Sequence, residues 1–136
     1  MGLFSAFRAS STYEKALKFY GVDPYALGPD INTKVCSYAN QVYERITSRW
    51  PEDRGQNTLD ACMRNAAATT AFCTLGPTMF HESGGDYDGM MERLKIAARD
   101  WREEGPEAQV DTMIIKTLDD AGLLSDDFAE CFNELL

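Results

Sequence analysis

Residues 58–75, TLDACMRNAAATTAFCTL, are the stretch whose reading decides the fold. Its only charges are Asp60 and Arg64, both in the first half, and nothing from Asn65 to Leu75 is charged. Residues 66–71, AAATTA, are all small. Small side chains let neighbouring helix backbones come close, so the spacing predicts a central helix contacted on several sides. Asn57 is its expected N-cap, and Gly76-Pro77 closes it. Cys62 and Cys73 lie eleven residues apart, which places them within about 20° of one another on one helix face. The same spacing separates them by about 16 Å along the axis, too far for a disulfide.

Upstream, Ser11-Thr12-Tyr13-Glu14 reads as a capping box that opens a short helix closed by Gly21. The residues before it are expected to be an amphiphilic lead-in whose Phe4 and Phe7 cap the core or dock on a partner, packing being the plainer reading. Asp23-Pro24 suits the start of a single turn stopped by Gly28-Pro29. Asp30 is the expected cap of a helix over 31–49, where Ile31, Val35, Tyr38, Ala39, Val42, Ile46 and Trp50 recur every three or four residues. Pro51 ends it.

Downstream, residues 77–85 read as the longest irregular stretch. Asp86 then starts a helix over 86–104, with Tyr87, Met90, Met91, Leu94, Ala97, Ala98 and Trp101 on one face and Arg99–Glu103 as a surface pair. Gly105-Pro106 separates it from a helix over 107–121 striped by Val110, Met113, Ile114, Thr117, Leu118 and Ala121. Ser125 caps the last helix, with Asp126 and Asp127 at the favourable end of its dipole and Phe128, Cys131, Phe132 and Leu135 facing inward. No segment alternates with period two for long enough to be a strand. The expected fold is all-α: a compact single-domain bundle, residues 1–136, of about five main helices plus one or two short helical turns around the 58–75 helix. Its connections are short enough for such a bundle.

Charge is distributed unevenly over the 136 residues, whose net charge is −9. Residues 1–50 carry six Lys/Arg and four acids, whereas from Asp100 onward eleven acids face only Arg102 and Lys116. Direct nucleic-acid binding needs a basic patch, and no Lys/Arg cluster supplies one. A basic protein partner for the acidic C-terminal third fits the charge, with Asp119, Asp120, Asp126, Asp127 and Glu130 as its contacts. An acidic surface that only keeps the protein soluble is the plainer reading of the same residues.

The four cysteines, Cys36, Cys62, Cys73 and Cys131, include no C-x-x-C pair, and reduced thiols in a cytoplasm are the expectation. The apolar start Leu3–Phe7 is short and Arg8 interrupts it, so no secretory segment is expected. Met1-Gly2 is not read as a myristoylation signal, because Ala6 stands where Ser or Thr is needed. No apolar run approaches the roughly 18 residues of a membrane span.

Chemistry is sparse. His81 is the only histidine, followed by Glu82 and then Gly84-Gly85. Glycine-rich loops are where catalytic groups often sit, which makes His81 and Glu82 the first candidates. A zinc-protease motif needs a second His where Gly85 stands, and the Cys/His spacings offer no structural zinc site. Asp86-Tyr87-Asp88-Gly89 fails as a calcium loop, since Gly84 and Lys95 occupy its first and last ligand positions. Cys73 with His81 is a nucleophile pair only if Cys73 is exposed with a lowered pKa; buried cysteine is the commoner case. No phosphate loop, nucleophile elbow or dinucleotide fingerprint occurs, and no cofactor or metal is implied. Tyr13, Tyr20, Tyr38, Tyr43, Trp50 and Trp101 are core aromatics before they are pocket walls.

The sequence therefore predicts a non-enzymatic interaction or regulatory module of inhibitor, immunity or accessory type. It binds a basic partner through its acidic C-terminal third. The alternative is a small-molecule-binding or enzymatic bundle with its site at residues 77–88. A homodimer is expected because several helices carry more apolar face than one central helix covers.

Overall fold

A computed structural model describes the backbone over residues 3–100 and 106–135 and the side chains over 7–99 and 109–135. Phe4, Trp101, the Arg99–Glu103 pair and Gly105 lie outside the described residues or side chains. Eight α-helices are found there: α1 Leu3–Tyr20, α2 Pro24–Leu27, α3 Pro29–Arg49, α4 Gln56–Leu75, α5 Pro77–Glu82, α6 Tyr87–Asp100, α7 Pro106–Asp120 and α8 Asp126–Leu135. A single 3-10 turn, Pro51–Asp53, links α3 to α4, and no strand occurs among the described residues. The fold is all-α and compact, with many contacts between helices. None of the described helices is long and apolar enough to cross a membrane.

The expected central helix is α4. It packs against α1, α3, α5, α7 and α8, and eleven of its twenty residues are buried, so it shows no single apolar stripe. Ala66, Ala67 and Ala71 are almost without exposure, which is what small residues in a tight helix seam predict. Thr70 and Thr74 fold their hydroxyls back onto the carbonyls of Ala66 and Thr70, both at 2.9 Å. That satisfies each hydroxyl locally and lets it sit in an apolar seam.

Three expectations at the helix ends are corrected. The first is the lead-in: α1 is continuous from Leu3, and Ser11 and Thr12 lie in its middle. Ala9, Tyr13 and Leu17 form a buried stripe that begins before the expected cap, and Thr12 turns its hydroxyl to Asp60 at 3.2 Å. The second concerns two caps. Asp30 and Asn57 lie inside first turns, because Gly28 and Gly55 stand at the N-cap positions. Asp23 and Ser125 do cap as expected, accepting from Tyr25 N and Phe128 N, each at 3.0 Å. Asp86 likewise caps α6 through Gly89 N at 3.0 Å.

The third correction is residues 77–85. Gly76-Pro77 ends α4 but also starts α5, since proline at the first helical position loses no bond that a helix would make. Phe80 on α5 drops into the core, which stabilises the turn by about 1.5–3 kcal/mol. Trp50 also departs from expectation. As the residue that ends α3, it leaves the stripe and lies 44% exposed, with the Arg49 guanidinium 4.8 Å from its ring centroid.

Candidate functional site

The chain bends sharply where α4 passes into α5, and α8 closes on that bend. Gly76 has φ +92°, and a Cβ there would meet Asp127 Cβ and Oδ2, both at 2.9 Å. Only glycine allows both the turn and the approach. The Ser125 N–H donates to the Cys73 carbonyl at 3.0 Å and pins the start of α8 to the end of α4. Two segments far apart in sequence thereby face each other.

Between them lies an open groove of about 600 Å³. One wall is α5, with Pro77, Thr78, His81 and Glu82; the other is α8, with Asp127, Glu130, Cys131 and Glu134. Tyr87 at the start of α6 completes it. Asp127, Glu130 and Glu134 form one row on α8 because they are spaced by three and four residues. The opposite face of α8 carries Phe128 and Phe132, whose rings stack at 5.6 Å, so the helix is acidic outward and aromatic inward. Among the described residues no Lys or Arg lines the groove, and His81 is the one lining side chain able to become cationic.

The structure thus brings together residues from both sequence hypotheses. His81 and Glu82 share the groove with Asp127 and Glu130, and Glu134, which the sequence did not single out, extends the row. Asp119 and Asp120 are exposed at the end of α7, and Asp126 is exposed at the start of α8; none of the three lines the groove. Asp127 is partly committed, since its Oδ2 stands 3.5 Å from Thr78 N, at the positive end of α5.

Cys73 lies elsewhere. It is fully buried, and burial, followed by the nearby Asp111 carboxylate, pushes its thiol well above the ordinary value, with Arg93 opposing. A thiol so held is neutral and does not attack. Cys131 in the groove is pushed up too, by burial first and then by Glu134 and Asp127. Its sulfur stands 3.6 Å from that of Met91. The His81 ring packs edge-on to Tyr87 at 6.2 Å between centroids, and no described side chain hydrogen-bonds its imidazole. A general base needs an orienting partner, and none is found among the described side chains. The adjacent glycines have a packing reason. Phe19 lies over Gly84, and a Cβ on Gly85 would run into the Phe80 ring.

Of the aromatics, Tyr20 stacks on Phe80 at 4.9 Å, Tyr43 is buried, and Tyr38 bonds Thr117 at 2.9 Å. Tyr13 edges a smaller hollow between α1, α2 and α3. Among the described residues no group of three or more His, Cys, Asp or Glu is placed to hold a metal ion.

Sequence reasoning passed over the two buried carboxylates. Asp111 on α7 pairs with Arg93 on α6, Nη2 to Oδ1 at 2.7 Å and Nε to Oδ2 at 3.2 Å, while Thr69 of α4 bonds both partners at 2.9 Å. Asp60 on α4 accepts from Arg8, Thr12 and Gln56 at 3.2, 3.2 and 2.8 Å. A signal existed for each: Asp60 is one of two charges in the central helix, and Asp111 shares the i, i+4, i+7 row of Ile115 and Leu118. Compared with protein-family models, curated proteins and solved structures, the chain matches none of them.

Proposed function

We propose that this protein is a non-enzymatic interaction module that holds a basic protein partner through the acidic surface of its C-terminal third. The observation that carries the reading is the α5–α8 groove, where Glu82, Asp127, Glu130 and Glu134 converge with no Lys or Arg among them. The helix ends add support. Asp119 and Asp120 stand in the last turn of α7, where the dipole disfavours acids by about 0.3–1 kcal/mol each, so fold stability does not explain them. The enzymatic alternative draws less from the same site: Cys131 is shifted away from thiolate, and no group among the described side chains orients His81.

A cytoplasmic setting belongs to this proposal and is supported by four free cysteines. So does a homodimer, supported by exposed Phe7 and Phe19; a monomeric mass by light scattering at micromolar concentration removes that part. The main test is affinity capture from a cell extract with wild-type and E130K/E134K baits. A partner held by the wild type, released by salt and lost on charge reversal is the expected result. A partner kept equally by both baits sinks the acidic-surface reading.

A further inference from the structure

Resting on that reading, we infer that the groove between α5 and α8 seats a row of arginine or lysine side chains from one face of a partner helix, and that the α7 acids are not part of this seat. The occupant follows from size, lining and register. A 10 Å length of helix about 10 Å across displaces on the order of 800 Å³, whereas the groove offers about 600 Å³. It takes a row of side chains and leaves the body of the helix outside. The lining is mixed: Pro77, Tyr87 and Cys131 give apolar contact, with carboxylates on both walls. Long cationic side chains match that combination, because their methylene stems bury against apolar surface while their heads reach charge.

Register supplies the spacing. Asp127, Glu130 and Glu134 span seven residues of α8, about 10 Å at roughly 1.5 Å per residue. A partner helix with cations at i, i+3 or i+4, and i+7 presents the same spacing over the same length. Glu82 on the opposite wall keeps the trough negative on both sides. Asp119 and Asp120 are not among the residues that line it.

The test uses the whole protein and two synthetic amphipathic peptides of identical composition. One carries arginines at i, i+3 and i+7 on a single face; the other has them scattered around the helix. Binding is followed by amide chemical shifts and titration calorimetry for wild type, E130Q/E134Q and D119N/D120N, with circular dichroism confirming that each variant is folded. The inference expects shifts confined to α5, α8 and Tyr87, with tighter binding of the single-face peptide. It also expects about a tenfold loss in E130Q/E134Q and less than about a twofold change in D119N/D120N. Binding lost in D119N/D120N but kept in E130Q/E134Q overturns the groove seat and leaves a basic partner standing. Equal binding of both peptides overturns the helix-face register. No binding of either peptide by the wild type removes the groove seat and the basic-partner reading together.

Discussion

Asp60 and Asp111 are both carboxylates buried at α4, yet they are secured in different ways. Asp60 belongs to the first half of α4 and is 8% exposed, and its arginine, Arg8, is 62% exposed and makes one contact at 3.2 Å. Asp111 comes from α7 to the second half of α4; it is 2% exposed, and Arg93 at 30% exposure grips it with two nitrogens. A hydroxyl takes part each time, Thr12 for Asp60 and Thr69 for Asp111. At Asp60 the neutral groups Thr12 and Gln56 do most of the holding, and the charge of Arg8 remains in water. At Asp111 both charges are partly withdrawn from water, and each depends on the other. The first site ties α1 to α4. The second ties α4, α6 and α7 together.

The largest break in this comparison is Asp111→Ala. It leaves the Arg93 guanidinium without its carboxylate, while Thr69 keeps the Asn65 carbonyl at 3.2 Å, and removing one partner of a buried pair costs about 3–5 kcal/mol. Urea unfolding measures it. The double variant Asp111→Leu/Arg93→Met removes both charges, and we expect it to recover most of the loss, as buried pairs replaced by apolar residues commonly do. A double variant as unstable as the single one means that the pair does not compensate internally.

Asp60→Ala is the matched experiment and the smaller effect. Thr12 and Gln56 lose an acceptor, but Arg8 simply stays in solvent, so the cost expected is about 1–3 kcal/mol. Equal losses at the two sites contradict the distinction drawn from exposure.

The thiols extend the contrast to alkaline pH. Cys36 on α3 faces α1, and burial, reinforced by Glu14 and opposed by a Ser10 hydrogen bond, raises it from 9.0 to about 11. Between about pH 9 and 11 the unfolded thiol ionises while the native one keeps its proton. The unfolded state then binds fewer protons, so stability falls with rising pH across that window. Cys36→Ala makes the slope there shallower by its own share, and Cys73, Cys131 and Tyr13, raised by burial in the same direction, keep the rest. Cys73, beside Asp111 and Arg93, is raised well above its ordinary value as well, by burial first and then by the Asp111 carboxylate. Thiolate absorbance against pH, read on single-cysteine variants, separates the two.

What could be read from the sequence follows the range of the interaction responsible. The α4 helix was legible because an uncharged run of small residues has few other uses in a helical chain. Its neighbours were legible as stripes, and Asp23 and Ser125 as caps, because each depends on residues within a turn or two. Ser11-Thr12 misled because a good local cap was overridden by the stripe Ala9–Tyr13–Leu17 packing on α4. Gly76-Pro77 misled because the same pair stops one helix and starts the next. The groove was legible only as halves. His81-Glu82 and Asp127-Glu130 were each singled out, but they meet through the Gly76 approach and the Ser125–Cys73 backbone bond, which no local pattern encodes. The Asp111–Arg93–Thr69 cluster was illegible for the same reason, since its members come from three helices.

The smallest expected effect tests the exposed end of the comparison. Arg8→Ala removes the guanidinium from Asp60 but leaves Thr12 and Gln56 in place, so the carboxylate keeps two of its three partners. An arginine mostly in water contributes little through charge, and we expect a loss of at most about 1 kcal/mol. Part of that loss is screened, so the gap between wild type and variant should narrow when unfolding is repeated in 1 M salt, where the Debye length is about 3 Å. At Asp111 the same salt should change little, because its pair is shielded from counterions. An Arg8→Ala loss that rivals Asp111→Ala, or one that salt leaves unchanged, places Arg8 inside the folded core energetically and removes the difference between the two carboxylates.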